Sequence, residues 1–259
     1  MSDDVSDDFH GMPCWYELTT PDPLAAADFY RSVIGWEVEK APMEAFDYFL
    51  ARQGEAMVAG MSRPQIPGTP PHWLTYFAVS DCDATAAAML ADGARQIVPP
   101  TDIPGTGRFA ILSDPQGAAF GLLQPLPMQA AQGGAYDPAK PGHGAWHELM
   151  SGDPVAGLAF YGKHLGWTAS TAMPMGEMGT YQLFAREGRD IGGMMGLPQA
   201  GMPPCWLPYT GVASIDRAKA AVEAGGGRVV HGPMEVPGGA FILQGTDPQG
   251  AWFALTGPR

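Results

Sequence analysis

The stretch Trp15 to Trp36 reads WYELTTPDPLAAADFYRSVIGW, and the chain says nearly the same thing again from Trp146 to Trp167, as WHELMSGDPVAGLAFYGKHLGW. Nine residues recur at a spacing of 131. Trp15, Glu17, Leu18, Asp22, Pro23, Phe29, Tyr30, Gly35 and Trp36 match Trp146, Glu148, Leu149, Asp153, Pro154, Phe160, Tyr161, Gly166 and Trp167. The second half of each copy repeats at 133. Pro71, Trp73, Leu74 and Val79 return as Pro204, Trp206, Leu207 and Val212, and Asp114-Pro115-Gln116-Gly117 returns as Asp247-Pro248-Gln249-Gly250. So many ordered matches mark an internal duplication.

Local chemistry assigns elements within a copy. Residues 14–20 (CWYELTT) predict a strand. Asp22 followed by Pro23 predicts an N-cap with proline at the first helical position. Ala26, Phe29, Tyr30 and Val33 follow at helical spacing, and Gly35 ends the helix. Short strands are expected near 36–38, 48–52 and 57–61. The plan then restarts, with a strand from His72 to Val79, a helix over 81–92 ended by Gly93, and three strands of which the last is 120–123. Each copy therefore predicts βαβββ twice, and the chain an α+β fold of four such units. The repeats span 12–125 and 144–257; 1–11 reads as an acidic disordered tail and 126–143 as a Gly- and Pro-rich linker.

Composition narrows the partners. Fourteen Lys and Arg against 27 Asp and Glu give a net charge of −13 over 259 residues. Nucleic acid and anionic membranes are repelled by such a surface. The three cysteines, Cys14, Cys82 and Cys205, are far apart and form no CxxC pair, which argues against a disulfide framework or structural zinc. The start of the chain is acidic, with no apolar signal-peptide core, and the uncharged stretches at 115–136 and 191–215 are broken by Pro and Gly. A reduced, cytoplasmic setting is expected, as a monomer or a homodimer.

The Asp-Pro…Phe-Tyr…Gly-Trp segment after a first strand, with Asp-Pro-Gln-Gly before a last one, resembles the vicinal oxygen chelate superfamily, which includes glyoxalase I, bleomycin-resistance proteins and extradiol dioxygenases. The likeness covers nearly the whole chain from residue 12, and is strongest to two-domain bacterial members such as the 27 kDa antigen and hydroxylase-like glyoxalase proteins. It implies that paired βαβββ units curl into two tandem half-barrels whose cups hold the ligand. It also implies a divalent metal on His, Glu or Gln side chains at three positions. Those positions fall on Trp15, Leu74 and Gly121 in the first copy and on Trp146, Leu207 and Ala254 in the second. None of these side chains offers a lone pair suited to such an ion. The expectation is therefore no metal and no other cofactor. A register one residue off would instead bring Tyr16 and His147 to the first position.

By strand alternation the first cup is lined by Trp15, Glu17, His72, Leu74 and Tyr76, and the second by Trp146, Glu148, Cys205, Leu207 and Tyr209. Aromatic walls with a few polar groups suit a small, partly aromatic organic molecule. Met173, Met175, Met178, Met194, Met195 and Met202 could supply an adaptable rim. A carboxylate on an apolar face needs a partner, so Glu17 and Glu148 read as hydrogen-bonded to Tyr76, Tyr209 or an amide, as ligand anchors, or as catalytic bases. His147 is expected on the helix side, and Cys205 as a small hydrophobe. The glycines of 102–108 and 235–239 suggest turns, with Arg108 free to meet an anion. The expected function is metal-independent binding of a small aromatic molecule for sequestration, resistance or sensing. The alternatives are a glyoxalase- or dioxygenase-type enzyme with a divalent metal on Glu17 and His72 and Glu148 as base, and a ligand-free scaffold.

Overall fold

The structure is a computed structural model, and it describes residues 9–42, 47–126, 134–199 and 201–259. Residues 1–8 of the expected tail and 127–133 of the expected linker lie outside these. Phe9–Gly11 form a turn, and the Gly11 N–H donates to the Ala78 carbonyl at 2.8 Å.

The first copy contains β1 (Pro13–Thr19), α1 (Pro23–Val33), β2 (Glu37–Lys40), β3 (Tyr48–Gln53) and β4 (Ala56–Ser62), then β5 (His72–Ala78), α2 (Cys82–Ala91), β6 (Arg95–Ile103), β7 (Gly107–Ser113) and β8 (Ala119–Pro125). The second contains β9 (Gly144–Ser151), α3 (Pro154–Leu165), β10 (Thr168–Pro174), β11 (Thr180–Arg186) and β12 (Arg189–Gly196). It continues with β13 (Cys205–Gly211), α4 (Ile215–Ala224), β14 (Arg228–Glu235), β15 (Phe241–Thr246) and β16 (Trp252–Gly257). The chain is thus an α+β fold of four βαβββ units. Each copy makes one eight-stranded sheet, in the order β2-β3-β4-β1-β5-β8-β7-β6 and β10-β11-β12-β9-β13-β16-β15-β14.

The caps form as the motif predicts. Asp22 Oδ1 accepts from the Leu24 and Ala25 N–H groups at 3.1 and 3.2 Å. Asp153 does the same for Ala156 at 3.0 Å. Gly35 and Gly166 follow their helices at φ 95° and 72°, a region that costs a residue with a Cβ.

Packing sorts the chain differently from the sheets. Among the described residues, one compact unit holds 15–42, 47–75, 134–146 and 207–259; the other holds 9–14, 76–126, 147–199 and 201–206. Each unit combines half of one copy with half of the other. In the first, Leu18, Ala26, Phe29, Tyr30, Phe253 and Leu255 are buried in one apolar cluster. In the second, Phe77, Trp167, Phe184 and Trp206 interlock, with Trp167 stacked on Phe184 at 4.4 Å and Phe77 edge-on to Trp167 at 4.9 Å.

Candidate functional site

In the unit built on 15–75, Tyr16 and Leu18 are buried in the core with the α1 side chains Ala26, Phe29 and Tyr30. Alternation along β1 therefore turns Trp15 and Glu17 to the opposite face. There they meet Tyr48 of β3. The Tyr48 hydroxyl donates to Glu17 Oε2 at 2.9 Å and accepts from Trp15 Nε1 at 3.1 Å. An indole N–H can only donate, so the direction of this chain is set: Trp15 to Tyr48 to Glu17. Gly60 of β4 pairs in register with Glu17, and a Cβ there would overlap the Tyr48 hydroxyl. Burial pushes the Glu17 carboxyl above its ordinary range, with the Tyr48 hydrogen bond acting the other way. Burial, reinforced by the Glu17 charge, raises the Tyr48 phenol well above its own.

Two further residues of this face lie on β5. Leu74 is buried, and His72 is partly exposed with Nδ1 2.9 Å from the Pro70 carbonyl. A carbonyl only accepts, so His72 carries its proton on Nδ1 and presents Nε2 as an acceptor when neutral. In the second copy the matching residues Glu148, Tyr181, Gly193 and Cys205 lie in the other unit. Glu148 pairs in register with Gly193, and the Tyr181 ring lies where a Cβ on Gly193 would be. Cys205 stands close enough to Glu148 to feel its charge, and burial together with that charge pushes its thiol up to about 11. It is a neutral thiol at physiological pH, not an activated nucleophile.

Tyr76 and Tyr209 lie two residues beyond Leu74 and Leu207 on the same strands, and Trp146 two before Glu148, so alternation keeps each on its expected face. Tyr76 is buried on β5 in the unit built on 76–126, packed over Gly121 and 6.5 Å from the Phe109 ring. Tyr209 pairs in register with Ala254 and accepts from Gln244 Nε2 at 2.5 Å. Trp146 is partly exposed on β9. Neither Tyr76 nor Tyr209 belongs to the compact unit that holds the glutamate of its own sheet. The partner of Glu17 is Tyr48, a residue that sequence reasoning passed over in favour of Tyr76. A signal was available, because Tyr48 and Tyr181 repeat at 133, as do Gly60 and Gly193.

Three other expectations resolve plainly. His147 is fully buried on the helix side, with Nδ1 2.8 Å from the Ile191 carbonyl and its ring 6.4 Å from Phe77. Burial pulls its pKa down to about 4. Arg108 is not open to an anion, since its guanidinium holds Asp83 at 2.5 Å and Asp102 at 2.8 Å. Gly105, Gly238 and Gly239 have φ of 73°, 99° and 81° in turns.

The positions at which the family resemblance implies metal ligands carry an indole, an isobutyl group and no side chain in the first sheet, and an indole, an isobutyl and a methyl group in the second. Among the described residues, no three His, Cys, Asp or Glu side chains come together as a metal-binding group. The residues there do not fit a divalent cation, which needs several oxygen, nitrogen or thiolate donors. No helix among the described residues is long and apolar enough to cross a membrane.

Comparison with known proteins agrees with this architecture. The "Putative glyoxylase CFP32" of Mycobacterium tuberculosis is 34% identical over 253 residues, covering 96% of this chain and 95% of its own. The "Anthracycline biosynthesis protein DauV" of Streptomyces sp. strain C5 is 31% identical over 264 residues, covering 95% and 92%. Two solved structures share the fold at low identity. The Mn(II)-bound glyoxalase from Novosphingobium aromaticivorans superposes with a TM-score of 0.67 at 20% identity, over 98% of this chain and 83% of its own. The 2,3-dioxygenase LapB from Pseudomonas sp. KL28 gives 0.67 at 14%, over 97% and 93%. The family model matches residues 14–122 and 142–255, one match per copy. With both copies matched and four βαβββ units in two sheets, the chain belongs to the Glyoxalase/Bleomycin resistance protein/Dioxygenase superfamily.

Proposed function

We propose that this protein binds a small, partly aromatic organic molecule against its sheet faces, and that it does so without a divalent ion at the family's usual positions. The observation that carries the reading is the chain from Trp15 through Tyr48 to Glu17. It sets an oriented hydrogen-bonding carboxyl beside the Trp15 indole, which stands at a position where the resemblance implies a metal ligand. An apolar wall with one or two fixed polar groups is the makeup of a small-molecule site. The relative named for anthracycline biosynthesis supports a polycyclic aromatic ligand. The biological role that follows is sequestration, resistance or sensing.

The test is a titration with neutral aromatic compounds, followed by tryptophan fluorescence and thermal unfolding. Binding quenches fluorescence and raises the melting temperature, since a ligand that binds only the folded state stabilises it. Trp15→Ala and Trp146→Ala together abolish both effects. Binding that survives the double substitution removes this reading.

A further inference from the structure

The two glutamate faces are built on one plan, but their exposure differs. In the first sheet Glu17, Tyr48 and Thr19 are all partly exposed. In the second, Glu148 is 7% exposed and Met150 4%, and Tyr181 is 9% exposed. Substitutions between the copies accompany this difference at Thr19 and Met150, whereas Ser62 at 6% and Met195 at 9% are both buried. Met150 stands where the first copy has Thr19, and Met195 where it has Ser62. Met150 and Met195 are paired in register on neighbouring strands, two residues beyond the Glu148–Gly193 pair and so on the same face. Met173 is in register with Tyr181 from the other side. Two thioether side chains thus replace a hydroxymethyl and a hydroxyethyl group beside the buried carboxyl. Methionine, unbranched and flexible, fills such irregular space well.

The polar groups diverge in the same sense. On the first face His72 is held by the Pro70 carbonyl so that Nε2 points away from that bond as an acceptor. Glu17 commits Oε2 to Tyr48, and Oε1 is the oxygen that this chain of bonds does not use. The position matching His72 in the second copy is Cys205, a weak hydrogen-bonding group. The net charge of −13 and the Glu17 carboxyl both disfavour an anion.

We infer that the ligand is a neutral planar aromatic carrying an O–H or N–H donor, that it binds on the first sheet against Trp15, Glu17 and His72, and that the matching face of the second sheet is filled by its own methionines. This rests on the aromatic-binding reading above and narrows it to one face.

The test uses the full chain with 2-naphthol, and with 2-methoxynaphthalene as the analogue that lacks the donor. Calorimetry gives stoichiometry, and NMR of the indole N–H and methionine methyl groups gives location. The expected result is one equivalent of 2-naphthol, a shifted Trp15 indole signal, and unmoved signals from Trp146, Met150 and Met195. The methoxy compound binds about tenfold more weakly, the cost of a lost hydrogen bond. The double variant Met150→Thr/Met195→Ser takes a second equivalent. Should that variant not fold, Thr19→Met tests the same idea from the other side by removing binding. Two equivalents on the wild type, or shifts at Trp146, Met150 and Met195, overturn the one-face assignment and leave the aromatic-binding reading standing. A folded double variant that still takes one equivalent overturns the methionine plug. No binding of either compound overturns both.

Discussion

The hydroxyl of Tyr30, in the first copy, donates to Asp247 Oδ2 of the second copy at 3.2 Å, and Tyr161 returns the bond to Asp114 Oδ2 at 3.1 Å. Each tyrosine also accepts from an indole, Tyr30 from Trp73 and Tyr161 from Trp206, both at 3.0 Å. The aspartates are in turn fixed by their own turns. Asp114 Oδ1 takes the N–H groups of Gln116, Gly117 and Ala118 at 2.8 to 3.0 Å. Tyr30→Phe leaves an indole N–H and a buried carboxyl each short of one partner. We expect a loss of about 1–3 kcal/mol in denaturant unfolding, with a similar loss for Tyr161→Phe. Unchanged stability in both variants would show that these bonds are incidental.

His147 makes the protein sensitive to mild acid. Its pKa falls from 6.5 to about 4 on folding, because burial penalises the imidazolium. The unfolded state therefore binds more protons between these values, and stability rises with pH across that window. The contribution is fully present above pH 6.5 and is lost as pH falls through about 4. It amounts to about 3 kcal/mol as an order of magnitude. Glu17, Asp114 and Asp247 have raised pKa values, so their contribution has the opposite sign: it is present at low pH and fades as pH rises through their raised values. Unfolding curves for the wild type and His147→Asn, recorded across pH 7 to 4, isolate the histidine. Their difference narrows toward acid; a difference independent of pH contradicts this account.

Tyr48 is the joint of the site. Tyr48→Phe strands the Trp15 N–H and releases Glu17, so ligand affinity drops about tenfold or more, for one to two lost hydrogen bonds. Gly60→Ala reaches the same end by a different route, since its methyl group overlaps the Tyr48 hydroxyl and pushes the ring aside. The matched titration on Gly193→Ala reads the second face. Equal binding by Tyr48→Phe and the wild type would remove the carboxyl chain from the site.

Much of this fold could be read directly from repeated residues, and the structure explains why. The repeating motif residues are mostly those that close each compact unit. Gln249 donates to the Asp22 carbonyl and accepts from the Asp22 N–H, both at 2.8 Å; Gln116 does the same for Asp153. Trp36 Nε1 donates to the Gly142 carbonyl and Trp167 Nε1 to the Gly11 carbonyl, each at 2.7 Å. Such reciprocal bonds constrain both copies alike, and so the residues stay alike. Which copy each motif bonds to is hidden in sequence, because spacing along the chain carries no record of packing across it. The face of Trp15 and Glu17 followed from alternation with Leu18. The partner of Glu17 did not, since Tyr48 lies two strands on in chain order and reaches Glu17 only because Gly60 leaves room. The unequal exposure of the two faces was also out of reach, as it depends on how methionine side chains at 150 and 195 settle beside one another.

The claim that the site works without a coordinated cation is tested most directly by titrating 2-naphthol into the purified protein before and after exhaustive chelation, with bound metal counted by elemental analysis. The account predicts the same affinity in both samples, no gain on adding Mn²⁺, Zn²⁺, Ni²⁺ or Fe²⁺, and far less than one equivalent of metal throughout. Affinity that vanishes with the chelator and returns with one equivalent of a divalent ion would contradict it.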